Sequence, residues 1–242
     1  MNANTSVERP GGESSVKSGV TRWLIREIVG SLFTAAILFG VSGRLDWVMG
    51  WVLVGVYVIW TGATALTVIP TNPEMLVERT GPKKGTKGWD LAIMSVVGVA
   101  EIAKYVVAGL DLRWDWSPQV PLALQLAGVV VAVLAYDVIL VWAMAANTFF
   151  SQTVRIQEDR GHTVVTGGPY RYVRHPGYVG SLLFQVATPL ILGSVWAFIP
   201  AGLAALLIIV RTALEDKTLL EELDGYKEYV SRVRYRLLPG IW

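Results

Sequence analysis

The chain has 242 residues, 53% of them hydrophobic and only 17% charged, a balance that excludes an ordinary soluble domain and reads as an integral membrane protein. A net charge of +2 points to no nucleic-acid partner. The absence of cysteine excludes a disulfide framework, a thiolate nucleophile and Cys-ligated metal, and two histidines are too few for most metal sites without carboxylate help, so no metal is expected.

Residues 1–20 are polar and Gly/Ser-rich with no apolar h-region, so they read as a disordered cytosolic tail and not as a cleaved signal peptide. Crossing the hydrocarbon layer takes about 20 mostly apolar residues. Spans are expected at 23–41, 47–69, 89–110, 120–146, 178–192 and 195–214. A turn with Gly43 and Asp46 separates the first two, and the loop 70–88 carries Glu74, Glu78, Arg79, Lys83, Lys84 and Lys87. The loop 111–119, DLRWDWSPQ, places Trp114 and Trp116 where an interfacial belt would lie. Only Gly193-Ser194 separates the last two spans, which therefore read as a helical hairpin. The tail 215–242 alternates charge with Leu, Tyr and Val, as an amphipathic helix does, and ends extended at Leu238-Pro239.

Lys and Arg concentrate in the amino-terminal tail, in the loops 70–88 and 146–175, and in the carboxyl tail, which places both termini in the cytoplasm. The expected fold is all-α and membrane-embedded, with about six transmembrane helices in one domain over 21–242. Ionisable residues inside spans are functional candidates, because burying them in lipid is costly. Glu101 and Lys104 stand three apart on one helix face and are expected to neutralise each other. Asp137 has no local partner, so it lines a cavity or pairs with an Arg of another helix.

The most informative stretch is 157–180, QEDRGHTVVTGGPYRYVRHPGYVG, a polar segment between two hydrophobic runs that holds both histidines, His162 and His175. It also holds Arg160, Arg171, Arg174, Tyr170, Tyr172 and Tyr178. A polar site at a membrane face is one reading; a plain cytosolic loop with Gly-Pro turns is the other. Backbone N–H groups at Gly167-Gly168 and at the helix start after Pro176 suit an anionic group, and the tyrosines suit a flat ring. In a second cluster Arg211 and Glu215 lie four apart, followed by Asp216, Glu221 and Glu222. A carboxylate there can hold an ammonium and the Arg a carboxylate or phosphate, so a zwitterion would satisfy both. An Arg211/Glu215 surface ion pair is the bland alternative, amounting to less than about 1 kcal/mol.

The string GPYRYVRHPGYVG, a hairpin, then R-x3-E-D-x2-L-x5-G-x3-Y and VRYRLLP resembles the isoprenylcysteine carboxyl methyltransferase family and its phospholipid N-methyltransferase relatives. The resemblance implies a membrane enzyme using S-adenosylmethionine (SAM), with the cofactor pocket formed by the hairpin and amphipathic tail, within 155–242. It implies cofactor contacts from Gln157, His162, Thr163, Val164, Val165, Tyr170, His175, Pro176, Gly177, Tyr178 and Glu215, which matches the first acid of the family's E-E-x-x-L. Arg211 matches an Arg associated with substrate, so Arg211 and Glu215 are the catalytic candidates; Asp216 departs from the family's second Glu. The acceptor would be a lipophilic carboxylate, amine or thiol entering from the bilayer. The NPE-to-KKGTK loop has a bacterial style, which favours a small amphiphile and an inner-membrane enzyme facing the cytoplasm. Two rivals remain: an NADPH-dependent sterol-type reductase, whose larger cofactor needs more cations, and a non-catalytic lipid-binding subunit. No G-x-G-x-x-G occurs, so any nucleotide site is not of the Rossmann type.

Overall fold

The computed structural model describes residues 12–242, and among these all regular structure is helical. In chain order come α1 (Gly12–Ser42), α2 (Val48–Val68), the short α3 (Pro73–Glu78) and α4 (Gly88–Trp114). The next helix is continuous from Leu122 to Ala146 but changes winding: α5 (Leu122–Val133), a π-helical stretch (Leu134–Leu140), then α6 (Val141–Ala146). After the long polar loop come α7 (Pro176–Leu192), α8 (Phe198–Glu222) and α9 (Tyr226–Arg232). Five of the described helices are long and apolar enough to cross a membrane, and α7 is a shorter apolar one. Large apolar side chains point outward along them, among them Phe33, Leu66 and Val99, as lipid-facing surfaces require.

Three boundaries differ from expectation. Residues 12–20 of the tail expected to be disordered are helical, because α1 packs on α3: a Cβ on Gly19 would sit 2.5 Å from Val77, and Trp23 is fully buried with Met75 and Leu76. Residues 1–11 lie outside the described ones. The loop 111–119 gives its first residues to α4, where Asp111 accepts hydrogen bonds from Ser117 N (2.7 Å), Ser117 Oγ (2.5 Å) and Ser194 Oγ. That carboxylate fastens the hairpin turn, where Gly193 adopts φ +69°, to the end of α4. The expected amphipathic tail helix is in fact two pieces, since α8 runs to Glu222 and Gly225, at φ +80°, turns the chain into α9.

Helix α7 is central and is approached closely on two sides. A Cβ on Gly128 would lie 2.9 Å from Leu190 Cβ, and one on Gly180 would lie 2.6 Å from the carbonyl oxygen of Ala135, at the π-helical stretch. The core beneath contains Leu38, Leu53, Val56, Tyr105 and Phe184. Glu101 and Lys104 pair as expected, at 2.7 Å, and Gln185 of α7 completes a triad: Lys104 Nζ donates to its Oε1 (2.8 Å) while its Nε2 donates to Glu101. Asp137 follows neither reading. Both its oxygens are buried without a partner, and it does not line the cavity described next.

Candidate active site

A cavity of about 610 Å³ runs from the polar loop down among α1, α2, α4, α7 and α8. Its upper wall comes from the loop between α6 and α7. Gln157 is buried and held by donating Nε2 to Phe149 O (2.6 Å) and accepting from Arg160 Nη1 (2.6 Å), and its N–H donates to His162 Nδ1 (3.3 Å). The imidazole also packs on Phe149, with ring centroids 4.6 Å apart. Burial, then the charges of Arg155 and Arg160, lower the His162 pKa to about 4, so the ring is neutral at pH 7. Thr163, Val164, Val165 and Tyr170 continue the wall, and burial raises the Tyr170 phenol, keeping it protonated.

The second wall is the Arg174-His175 corner, and what holds it is Asp216. This carboxylate is fully buried on α8 and accepts Arg174 Nε (2.8 Å) and Nη2 (2.9 Å), Tyr226 OH (2.9 Å) and Arg236 Nε (2.8 Å), with His175 Nε2 at 3.0 Å. Burial and then the Asp216 charge raise the Tyr226 phenol, so it stays a donor. The backbone continues the clamp: Arg174 N donates to Tyr235 O (2.9 Å) and His175 N to Arg236 O (3.0 Å). A bidentate Arg with further donors is the arrangement that repays burying charge.

Two more pairs complete the mouth. Arg211 donates Nε to Asp90 Oδ1 (2.6 Å) and Nη2 to Gln152 O (2.7 Å), and its guanidinium lies 5.3 Å from the Tyr178 ring. The carboxylate partner of Arg211 is therefore Asp90, from the start of α4, and the weighed Arg211/Glu215 surface pair does not form. Glu215 instead accepts from Tyr178 OH and faces the cavity. Deeper down, the lining includes Thr34, Tyr57, Tyr105, Tyr136, Glu101 and Gln185, with the Tyr57 and Tyr105 hydroxyls hydrogen-bonded together.

Residues 128–221 match the isoprenylcysteine carboxyl methyltransferase (ICMT) family. Among curated proteins, the protein-S-isoprenylcysteine O-methyltransferase of Schizosaccharomyces pombe is 32% identical over 93 residues, 36% of this chain and 38% of that protein. Its namesake in Dictyostelium discoideum is 28% identical over 133 residues, 54% of this chain and 56% of that protein. The matched region thus spans about half the length, or less, of these relatives. Among solved structures, the eukaryotic intramembrane Ras methyltransferase ICMT superposes over 97% of this chain and 99% of its own, with a TM-score of 0.51 at 18% identity, which shows a shared fold. The ICMT likeness and the apolar helices agree that this is an integral membrane protein.

Of the residues expected at the cofactor, Gln157, His162, Thr163, Val164, Val165, Tyr170, His175, Gly177, Tyr178 and Glu215 all line the one cavity, as does Arg211. Pro176 does not; it is buried as the first residue of α7, where its missing N–H costs nothing. Gly167 and Gly168, read as an anion cradle, are not in the lining either: Gly168 adopts φ +56°, and a Cβ there would meet Ala146 at 2.7 Å. Asp90 and Arg79 carry charge at the site and stood out in no motif, and Asp216 stood in a motif that did not reveal its place as the buried hub. Their signal lies in burial, which local spacing does not record.

Proposed function

We propose that this chain is a SAM-dependent methyltransferase acting on a lipophilic acceptor at a membrane face, cytoplasmic by the distribution of Lys and Arg and of a bacterial inner membrane by the style of the NPE-to-KKGTK loop. The observation that carries the reading is Glu215: a carboxylate lining the cavity with the Tyr178 phenol as its hydrogen-bond partner, in the same lining as His162 to Val165. Such a group is free to receive an ammonium.

The residues present fit the donor. Tyr170, Val164, Val165 and Leu223 offer an apolar and aromatic surface for adenosine, neutral His162 adds no repelling charge, and Glu215 would hold the methionine ammonium. SAM would supply a methyl group already activated by its sulfonium. What the chain contributes is position and dryness: the Asp216 hub fixes the Arg174-His175 corner, and Arg211, set by Asp90, orients the acceptor from the α8 side. The relatives named above are methyltransferases of isoprenylated cysteine; for this chain the acceptor class is a lipophilic carboxylate, amine or thiol that enters from the bilayer.

Calorimetric titration of the purified protein with SAM and then with NADPH tests the reading. SAM is expected to bind and NADPH not to. Tight NADPH binding without SAM binding would favour a reductase, and silence for both a non-catalytic subunit. Glu215→Ala is expected to abolish SAM binding, while Arg211→Ala spares it and impairs turnover.

A further inference from the structure

The cavity is polar at both ends and apolar between them. Its upper end holds Glu215 with Tyr178, and Arg211 with Asp90. Below these, Met94 and Val97 of α4 enter the lining, as does Ile208, one turn deeper on α8 than Arg211. Polarity then returns with Glu101, Gln185, Thr34 and the hydrogen-bonded hydroxyls of Tyr57 and Tyr105, contributed by four helices. Among the described lining residues every other charged group belongs to the upper end. Arg26 and Glu27, for instance, bind each other (2.5 Å), and Arg26 also reaches Gln152 of the upper loop (2.7 Å).

Glu101 stands midway between Gly88 and Trp114, at the centre of a helix long and apolar enough to cross a membrane. An ionisable group at that depth is costly unless it is neutralised or used. Lys104 neutralises it at 2.7 Å and is itself fully enclosed, whereas 27% of the Glu101 side chain is open, in the lining of the cavity. A carboxylate has about four lone-pair sites. Lys104 takes one on Oε2 and Gln185 one on Oε1, so capacity to accept remains. A pair that served structure alone would need no such opening. A hydrocarbon tail laid against this end would strip the carboxylate and the phenols of water and return no hydrogen bond.

We infer that the Glu101 end is a second recognition site, for a neutral hydrogen-bond donor, a hydroxyl or an amide N–H, at the far tip of the methyl acceptor. The donor site stands on the lining; its assignment to the acceptor rests on the methyltransferase reading. A neutral donor suits it because Lys104 already balances the carboxylate, and a second ammonium would meet that charge. The acceptor is then an amphiphile polar at both ends. Its length follows from the helices that carry both ends: Tyr178 to Gln185 on α7 is a rise of ~10 Å, and Asp90 to Glu101 on α4 one of ~16 Å. Such a site selects among acceptors, since a buried acceptor left unpaired rejects a chain lacking the hydroxyl.

The test uses the purified full chain in nanodiscs and ten-carbon probes matched in pairs: decylamine with 10-amino-1-decanol, and decanoic acid with 10-hydroxydecanoic acid. Within each pair only the terminal hydroxyl differs, so the ratio of affinities reports the deep end whatever the head. By calorimetry without SAM, wild type is expected to bind the hydroxylated member at least about threefold more tightly. It should bind 1,10-diaminodecane more weakly than 10-amino-1-decanol. Glu101→Leu/Lys104→Met/Gln185→Leu removes the triad as a unit, orphaning no charge, and is expected to reverse the hydroxyl preference. Glu101→Gln/Lys104→Met, which keeps the shape and an amide acceptor, should keep part of it. SAM affinity should be the same in all three proteins, which also shows that they fold. A hydroxyl ratio unchanged between wild type and the triple variant would overturn the site and leave its polarity to water alone. Tighter binding of the diamine would overturn the neutral donor. Hydroxyl preference in binding, with SAM bound but methyl transfer no faster to the hydroxylated probes, would overturn the assignment to the acceptor. Failure of SAM to bind wild type, with the hydroxyl preference intact, would instead count against the methyltransferase reading alone.

Discussion

Glu215 and Asp216 are neighbours in α8 and face different tasks. Successive helical residues are turned by about 100°, so one carboxylate can enter the cavity while the next points into protein. Asp216 is fully enclosed and gathers Arg174, His175, Tyr226 and Arg236, whereas Glu215 is half-buried and meets Tyr178. The first is a fastening; the second is, on the proposed reading, a binding group.

Mutation should separate them. Asp216→Ala leaves Arg174 and Arg236 without their anion and is expected to cost about 3–5 kcal/mol, the usual penalty for orphaning a buried charge. It should appear as a large fall in unfolding temperature and as early proteolysis of residues 233–242. Glu215→Gln should leave the unfolding temperature within a few degrees while weakening SAM binding more than tenfold. A stable Asp216→Ala protein would contradict the division.

In the triad of α4 and α7, Lys104→Met leaves Glu101 beside an amide with no cation, and about 3–5 kcal/mol of destabilisation is expected. Adding Glu101→Gln should restore most of it, because two neutral groups in place of a pair are tolerated far better than one orphan. Thermal unfolding of the single and double variants measures the coupling directly.

Gly180 allows α7 to touch the carbonyl of Ala135. Gly180→Ala puts a methyl 2.6 Å from that backbone oxygen, which cannot swing aside as a side chain can. At least about 1–3 kcal/mol is expected, the usual cost of overpacking. The displaced π-helical stretch carries Tyr136 at the cavity wall, so acceptor turnover should fall as well. Normal stability together with normal turnover would show that the contact is not tight.

His162 gives the site an acid limit. Its folded pKa, lowered to about 4 by burial and then by Arg155 and Arg160, lies below the unfolded value near 6.5. Between those values the unfolded chain takes up a proton that the folded chain refuses, so stability is full above pH 6.5 and declines as pH falls toward 4. Unfolding temperatures recorded from pH 7 to 4.5 should fall, and His162→Gln should flatten the decline. An unchanged slope in the variant would remove His162 as the cause.

Much of this was legible before any coordinates. Hydropathy located the apolar helices, and three-residue spacing paired Glu101 with Lys104. The blocks 157–180 and 211–216 supplied a large part of the upper lining, while the neighbouring stretch from Asn147 to Arg155 and the later Leu219, Leu223, Tyr226 and Tyr229 were assigned no place in it. What stayed hidden was long-range pairing. Asp90 lies 121 residues from Arg211, and nothing in DLAIM marks it as the partner. Arg79 looked like one of several loop cations, and only its burial without an anion distinguishes it. The π-helical stretch from Leu134 was equally silent, because a change in winding leaves composition untouched.

Helix α7 has 17 residues, about 26 Å of rise, somewhat less than the roughly 30 Å of a bilayer's hydrocarbon. One end is tied at Gly193 to the Ser194–Asp111 staple, and the other opens directly into the His175 corner. Placed in a bilayer, the hairpin is therefore expected to act as a ruler between the two leaflets. In a membrane of longer acyl chains the ruler is too short and the reacting centre sinks beneath the headgroups; in a thinner one it rises toward water. On the methyltransferase reading, turnover is then expected to depend on lipid chain length, a control that resides in no single side chain of the site.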